Sequence, residues 1–256
     1  MDLRLLEGQA IGLLLHVVRA TGFFVSVPLF GRQTDSMILR LMLALSLGSM
    51  FWWVANKQLV VPADIISLAL LGMREVFIGL VLGFAISLMT NSLVAAGEII
   101  GNEMGFSMAR MMNPESGSDS SVVSQLFQVV AFLLVLSFDL HHEALRVLQQ
   151  TYEACPVGES LALEPIWTGL QTMVAASISV AVSYAFPVLS MMFLLTIGMV
   201  LLGRAVPQIN LMEFSYAARV LVALFAAAWF LSDGTPFLIG AFHDFLDGAR
   251  AMFPAR

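Results

Sequence analysis

Of 256 residues, 59% are hydrophobic and only 12% charged, with a net charge of −6. Soluble globular domains have about a quarter of their residues charged, so half that share, with long apolar runs, excludes an ordinary soluble domain and puts the chain in the membrane class. The acidic balance excludes a nucleic-acid partner, which needs a basic face, and eleven of the twelve basic residues are Arg, the residue suited to a cation held in fixed geometry against partly apolar surroundings.

Apolar runs fall at 10–30, 37–55, 65–96, 122–138, 166–203 and 216–232, with a shorter one after Pro236. The opening MDLRLLEGQ mixes acids with Arg, and the run behind it is interrupted by His16 and Arg19. No cleavable signal peptide is therefore expected, and insertion falls to the first apolar segments themselves. Arg32 lies in the turn GRQTDS and Arg40 follows it, whereas 139–165 carries five acids and one basic residue, Arg146. The positive-inside rule then puts the first turn in the cytoplasm and 139–165 in the periplasm.

The run 65–96 contains Arg74 and Glu75 inside LALLGMREVFIGLVLGF. Ionisable groups at such a depth are costly, and they are either functional or paired. Two readings stand: a proton or ion relay, or a buried charge pair that specifies packing, which we favour. Arg19 and His16 pose the same choice on the first run. Gly79 and Gly83 make one four-residue step, and Gly97, Gly101 and Gly105 make two more in GEIIGNEMG. Four-residue spacing puts these glycines on one helix face, where absent side chains admit another backbone. Glu98 and Asn102 line an adjacent stripe, so this face is expected to meet protein rather than lipid.

Beyond that seam the chain reads FSMARMMNPESGSDSS. Met104, Met108, Met111 and Met112 are unbranched and polarizable, able to seal a narrow space yet yield. Pro114 and the serine, glycine and acid that follow end the helix in a polar loop. In DLHHEALRVLQQTYE (139–153), Leu145, Leu148 and Tyr152 repeat at helical spacing beside Leu140 and Ala144. An amphipathic helix is expected there, capped by Asp139 and ending before Cys155-Pro156. The run 166–203 is too long for one straight span, and Pro187 offers a place for a kink or a hairpin turn. With no internal repeat and no linker, residues 1–256 read as a single domain.

Catalytic signatures are not found. His142-Glu143-Ala144-Leu145-Arg146 approaches HExxH but has Arg at the second His, and the sequence contains no GxSxG, Walker loop or GxGxxG. His141 and His142 are adjacent, about 100° apart on a helix, so they are not expected to share a metal. We expect no catalytic residue, no metal and no cofactor.

The run AGEIIGNEMGFSMARMMNPESGSDSSVVSQL (96–126) closely resembles the hallmark region of the FliR family of flagellar export proteins. RATGFFVSVPLFG (19–31) is similar to that family's first helix, GLVLGFAISLM (79–89) to the helix before the hallmark, DLHHEALRVLQQTYEACPVG (139–158) to its histidine-bearing segment, and VPQINL (206–211) to a late motif. Two departures stand out: Leu140 where the family commonly has glycine before the His pair, and Ala217-Ala218-Arg219 where it commonly has a Pro-Leu-Lys-like step.

The resemblance implies an all-α, membrane-inserted protein of long kinked helices and helical hairpins, packed in a hetero-oligomeric export gate. It implies FliP-, FliQ- and FlhB-type partners, an FlhA-type export apparatus, membrane lipid, and unfolded flagellar proteins as cargo. The location implied is the bacterial inner membrane, multi-pass, within the flagellar basal body, although family structures stand above the plane that hydropathy predicts. The resemblance also implies that the segment matching Gly105–Ser121 plugs the channel, with Phe106, Ser107, Met108, Ala109, Arg110, Met111, Met112, Asn113 and Pro114 as its gasket. The equivalent gate subunit of a virulence injectisome is an alternative, and an ion-coupled solute transporter using Arg74 and Glu75 is a more distant one.

Overall fold

A computed structural model describes residues 3–27, 37–55, 64–105, 121–158, 161–206 and 211–254. Among them are eight helices and no strand: α1 (Leu3–Ser26), α2 (Met37–Ala55), α3 (Ile65–Glu103), α4 (Val122–Ser137), α5 (Leu140–Ala154), α6 (Leu163–Ala205), α7 (Leu211–Asp233) and α8 (Thr235–Ala251). The all-α expectation holds. Part of α1 (Glu7–Ser26) and the whole of α2, α3 and α6 are long and apolar enough to cross a membrane, and α4–α5 and α7–α8 qualify as two further spans if each bent pair counts as one.

At 1.5 Å per residue, α3 and α6 extend about 58 and 64 Å, twice the ~30 Å hydrocarbon core of a bilayer. The overshoot expected from the apolar runs is therefore present in continuous helix. The hairpin alternative at Pro187 is not: α6 passes through Pro187 without a break. Proline removes one i→i−4 bond, and membrane helices tolerate that loss where neighbours or side chains satisfy the freed groups.

α8 exceeds the short run read from hydropathy because it is amphipathic. Leu238, Ala241, Phe242, Phe245, Leu246 and Ala249 are buried at helical spacing, while His243, Asp244 and Asp247 interrupt the apolar sequence on the other face. Pro236 sits in its first turn, where its missing N–H costs nothing.

The chain gathers into two compact units whose boundaries fall inside helices. One comprises Met1–Met89, Val135–Val174 and Phe242–Arg256. Here α1 packs on α2 with Gly48 against Val17, and the buried face of α5 is Leu140, Ala144, Val147, Leu148, Thr151 and Tyr152. Leu145, expected on that face, is only half-buried. The other unit comprises Thr90–Leu134 and Ala175–Ala241. Its core joins Leu93, Ala96 and Ile100 of α3, Phe127 and Ala131 of α4, Tyr184, Val188 and Met192 of α6, and Ala223 and Ala226 of α7.

Candidate functional site

The first polar constellation lies inside the unit built from α1, α2 and the N-terminal half of α3. Arg19 and Glu75 are both 0% exposed. Arg19 Nε donates to Glu75 Oε2 at 2.6 Å, and Nη2 lies 2.5 Å from the same oxygen. Its remaining donors reach the Thr151 carbonyl (Nη1, 2.9 Å) and the Cys155 carbonyl (Nη2, 2.9 Å). Those carbonyls belong to the C-terminal turn of α5, the negative end of its dipole. One guanidinium thus ties α1 to α3 and to the end of α5, a use of the fixed donor fork that an ammonium could not match.

The Arg19 guanidinium carbon also lies 4.5 Å from the centroid of the Tyr152 ring. Tyr152 stacks on His16 at 5.0 Å, and its hydroxyl donates to the His16 carbonyl at 2.8 Å. His16 in turn bonds the Gly12 carbonyl through Nδ1 at 2.7 Å. The expected pair of Arg74 with Glu75 is the minor contact. Arg74 Nη2 is 4.0 Å from Glu75 Oε1 and donates instead to Cys155 Sγ and the Pro156 carbonyl, each at 3.3 Å. Adjacent residues on a helix diverge, so the short partner of Glu75 comes from another helix, 56 residues away. Sequence had flagged Arg19 as an intramembrane charge; nothing in it pointed to Tyr152 or the α5 carbonyls.

The glycine seam divides between two helix crossings. A Cβ at Gly79 would overlap the Arg19 carbonyl oxygen and approach the Phe23 nitrogen to 2.9 Å, and one at Gly83 would come within 2.6 Å of the Phe23 oxygen. Gly22 of α1 faces Gly79, with 3.3 Å between a Cβ there and the Gly79 Cα. This glycine-on-glycine contact brings Arg19 within reach of Glu75. Gly97 and Gly101 instead admit the start of α4: a Cβ at Gly97 would stand 2.9 Å from the Ser124 Cα, and one at Gly101 2.6 Å from the Ser121 Oγ.

Those contacts form the base of the segment 106–120. Ser121 Oγ accepts the Ser124 N–H at 3.0 Å, capping α4, while Glu98 of α3 accepts the Ser121 N–H at 2.9 Å. The division of labour is that of a capping box, with the carboxylate supplied by a neighbouring helix. At the other end, Gly105 has φ +89° and lies 3.3 Å, by its added Cβ, from the Tyr216 ring. Arg219 donates to the Glu103 carbonyl at 3.4 Å and to Thr196 Oγ1 at 3.2 Å, placing a cation at the C-terminus of α3. The gasket residues Phe106, Ser107, Met108, Ala109, Arg110, Met111, Met112, Asn113 and Pro114 lie outside the described residues.

A third cluster corrects the sequence reading of the histidines. The rings of His141 and His142 are 4.1 Å apart rather than turned from one another. Asp139 occupies the N-cap of α5 with φ 54° but makes no side-chain cap bond. The cap expected of it is supplied by its backbone alone, whose carbonyl accepts the His142 N–H at 2.9 Å.

Residues 10–245 match the family described as bacterial export proteins, family 1. The chain belongs to that family. Among its relatives, the flagellar biosynthetic protein FliR of Caulobacter vibrioides is 30% identical over 227 residues, 85% of this chain and 87% of the relative. FliR of Bacillus subtilis is 26% identical over 213 residues, 82% of each chain. The Yop proteins translocation protein T of Yersinia pestis is 26% identical over 212 residues, covering 82% of this chain and 81% of its own. Membership spans all eight helices of this export protein in whole or in part, so both helix crossings and the capped base of 106–120 lie within the matched region.

Proposed function

We propose that this export-family chain is a non-enzymatic channel subunit of a type III export gate of the flagellar kind, set in the bacterial inner membrane. Its cargo is unfolded flagellar subunits, and its neighbours are FliP-, FliQ- and FlhB-type proteins beside an FlhA-type apparatus. The observation that carries this reading is the family match along residues 10–245, with flagellar relatives aligned over more than four fifths of the chain. The segment Phe106–Asp119 is the closure of the pore. Supporting this, the described residues on either side of it are tied down, Ser121 by Gly101, Glu98 and Ser124 and Gly105 by Tyr216, and its sequence carries the unbranched methionines that suit a yielding seal.

The buried charges support packing rather than transport of a solute or proton. Both short contacts of Glu75 go to Arg19, and Arg19 spends its other donors on α5 carbonyls. The similarity to the Yersinia protein favours a second reading, an injectisome gate. One experiment separates them. The full chain, tagged at its own locus, is extracted in detergent while a deletion strain is assayed for secretion. The flagellar reading expects co-purification with FliP- and FliQ-type proteins and loss of secreted flagellar subunits on deletion. Loss of virulence effectors with flagella intact supports the injectisome instead. A chain that purifies alone, with both exports unaffected by deletion, overturns both.

A further inference from the structure

We propose that Asp139, His141 and His142 form a binding site for a zinc-class divalent transition ion at the start of α5. One donor atom from each residue lies within 4.8 Å of the others. Two imidazoles and a carboxylate are a donor set that suits zinc and leaves a fourth position for water or a further ligand. Donors on one tetrahedral zinc ion, with bonds near 2.0–2.1 Å, stand roughly 3.3 Å apart. The donors would have to draw together from separations of up to 4.8 Å to hold an ion.

Two features bear on a ligand, the placement of Asp139 and the unpartnered His141 nitrogen. Asp139 stands at an N-cap, where an aspartate carboxylate ordinarily accepts from the helix's free N–H groups, yet it makes no such bond. Its Oδ1 is turned to within 3.4 Å of His142 Nδ1. His141 Nδ1 is shielded from solvent and has no hydrogen-bond partner among the described residues. The backbone at Asp139 is left-handed, the only non-glycine residue so placed among those described. This conformation stands between α4 and α5, and with it the carboxylate lies beside His142 rather than over the helix N–H groups. Glu143, the next acid, is already held by Arg146 and Arg250, so the site comprises the three residues named. A bound ion would fix the corner between α4 and α5, the latter being the helix whose far end receives Arg19.

The test is zinc binding by the full chain, carrying a non-histidine tag and purified in detergent with the subunits it assembles with. After chelation and dialysis, Zn²⁺ is titrated calorimetrically and Co²⁺ by its visible absorption. The expected result is one ion per chain. His141→Ala or His142→Ala should each weaken binding by more than the ~10–100-fold that loss of an outer-shell partner costs, and Asp139→Asn should weaken it also. His243→Ala, altering an exposed histidine elsewhere, should leave it unchanged. Equal binding by the parent and the double histidine variant overturns the proposal, as does no binding by the parent. Should a histidine variant fail to assemble, the parent decides alone. Zn²⁺ should protect His141 and His142 from diethylpyrocarbonate, and modification at an undiminished rate overturns the site.

Discussion

Arg19 is the residue on which the first unit turns. It is fully buried in a helix of membrane-spanning character, and its donors serve one carboxylate and two helix-end carbonyls. Removing one member of such a pair leaves an uncompensated charge at a cost of about 3–5 kcal/mol, whereas replacing both with apolar residues is often neutral. Arg19→Met should therefore destabilise the purified complex severely, and Arg19→Met with Glu75→Met should recover part of the loss. The comparison is a double-mutant cycle on thermal unfolding, and additive losses would deny the pair its importance. Glu75→Gln keeps shape and one hydrogen bond, so we expect reduced assembly with export in proportion. Full assembly with export abolished would instead favour a proton relay. The sequence revealed that Arg19, Arg74 and Glu75 were intramembrane charges, because charge stands out against an apolar run. It did not reveal which paired, since that depends on a crossing between residues 56 positions apart.

At the scale of the helices, apolar length was the legible quantity. The runs at 37–55 and 122–138 coincide closely with α2 and α4, and the overshooting runs became α3 and α6. Pro187 was ambiguous because proline can kink, break or simply sit in a membrane helix. α8 was underestimated because its polar face lowers hydropathy while its buried face keeps the helical period. The glycine spacing pointed to close approaches but not to their partners, and Gly105 lies past the end of α3 with φ +89° rather than on its face. Gly79 and Gly83 receive α1, while Gly97 and Gly101 receive α4. Backbone neighbours cannot yield, whereas the Ser121 hydroxyl can at the cost of its cap on α4, so an ordering follows. Gly79→Ala should destabilise most, Gly97→Ala next and Gly101→Ala least, within and beyond the ~1–3 kcal/mol typical of overpacking. Gly72→Ala and Gly198→Ala, where an added Cβ meets nothing within 4 Å, should be neutral or stabilising in the isolated chain by up to ~1 kcal/mol. Thermal melts of the five variants check the order, and equal effects at Gly79 and Gly72 would refute the crossing.

For the whole molecule, the exposed surface is the argument for an assembly. Trp53, Ile65, Ile66, Phe186, Phe193 and Trp229 all project outward, on a scale that soluble monomers do not carry. Lipid covers such a surface equally well along its length only where it matches the bilayer, and α3 and α6 are about twice that thickness. Other subunits must therefore cover the remainder, and the chain expressed alone should be recovered in far smaller amount than when co-expressed with its partners. Within that assembly the closure proposed for the methionine-rich segment gives it the central role, since a pore wide enough for an unfolded chain would leak ions unless filled between cargoes. Replacing Met108, Met111 and Met112 by Ala should loosen the seal slightly, and shortening the segment should remove it. The decisive measurement is ion conductance across inner membranes containing an assembled gate with the shortened segment. Normal assembly is expected, with conductance raised well above that of the unmodified protein. Membranes as tight as those of the unmodified protein, around a gate shown to be intact, would contradict it.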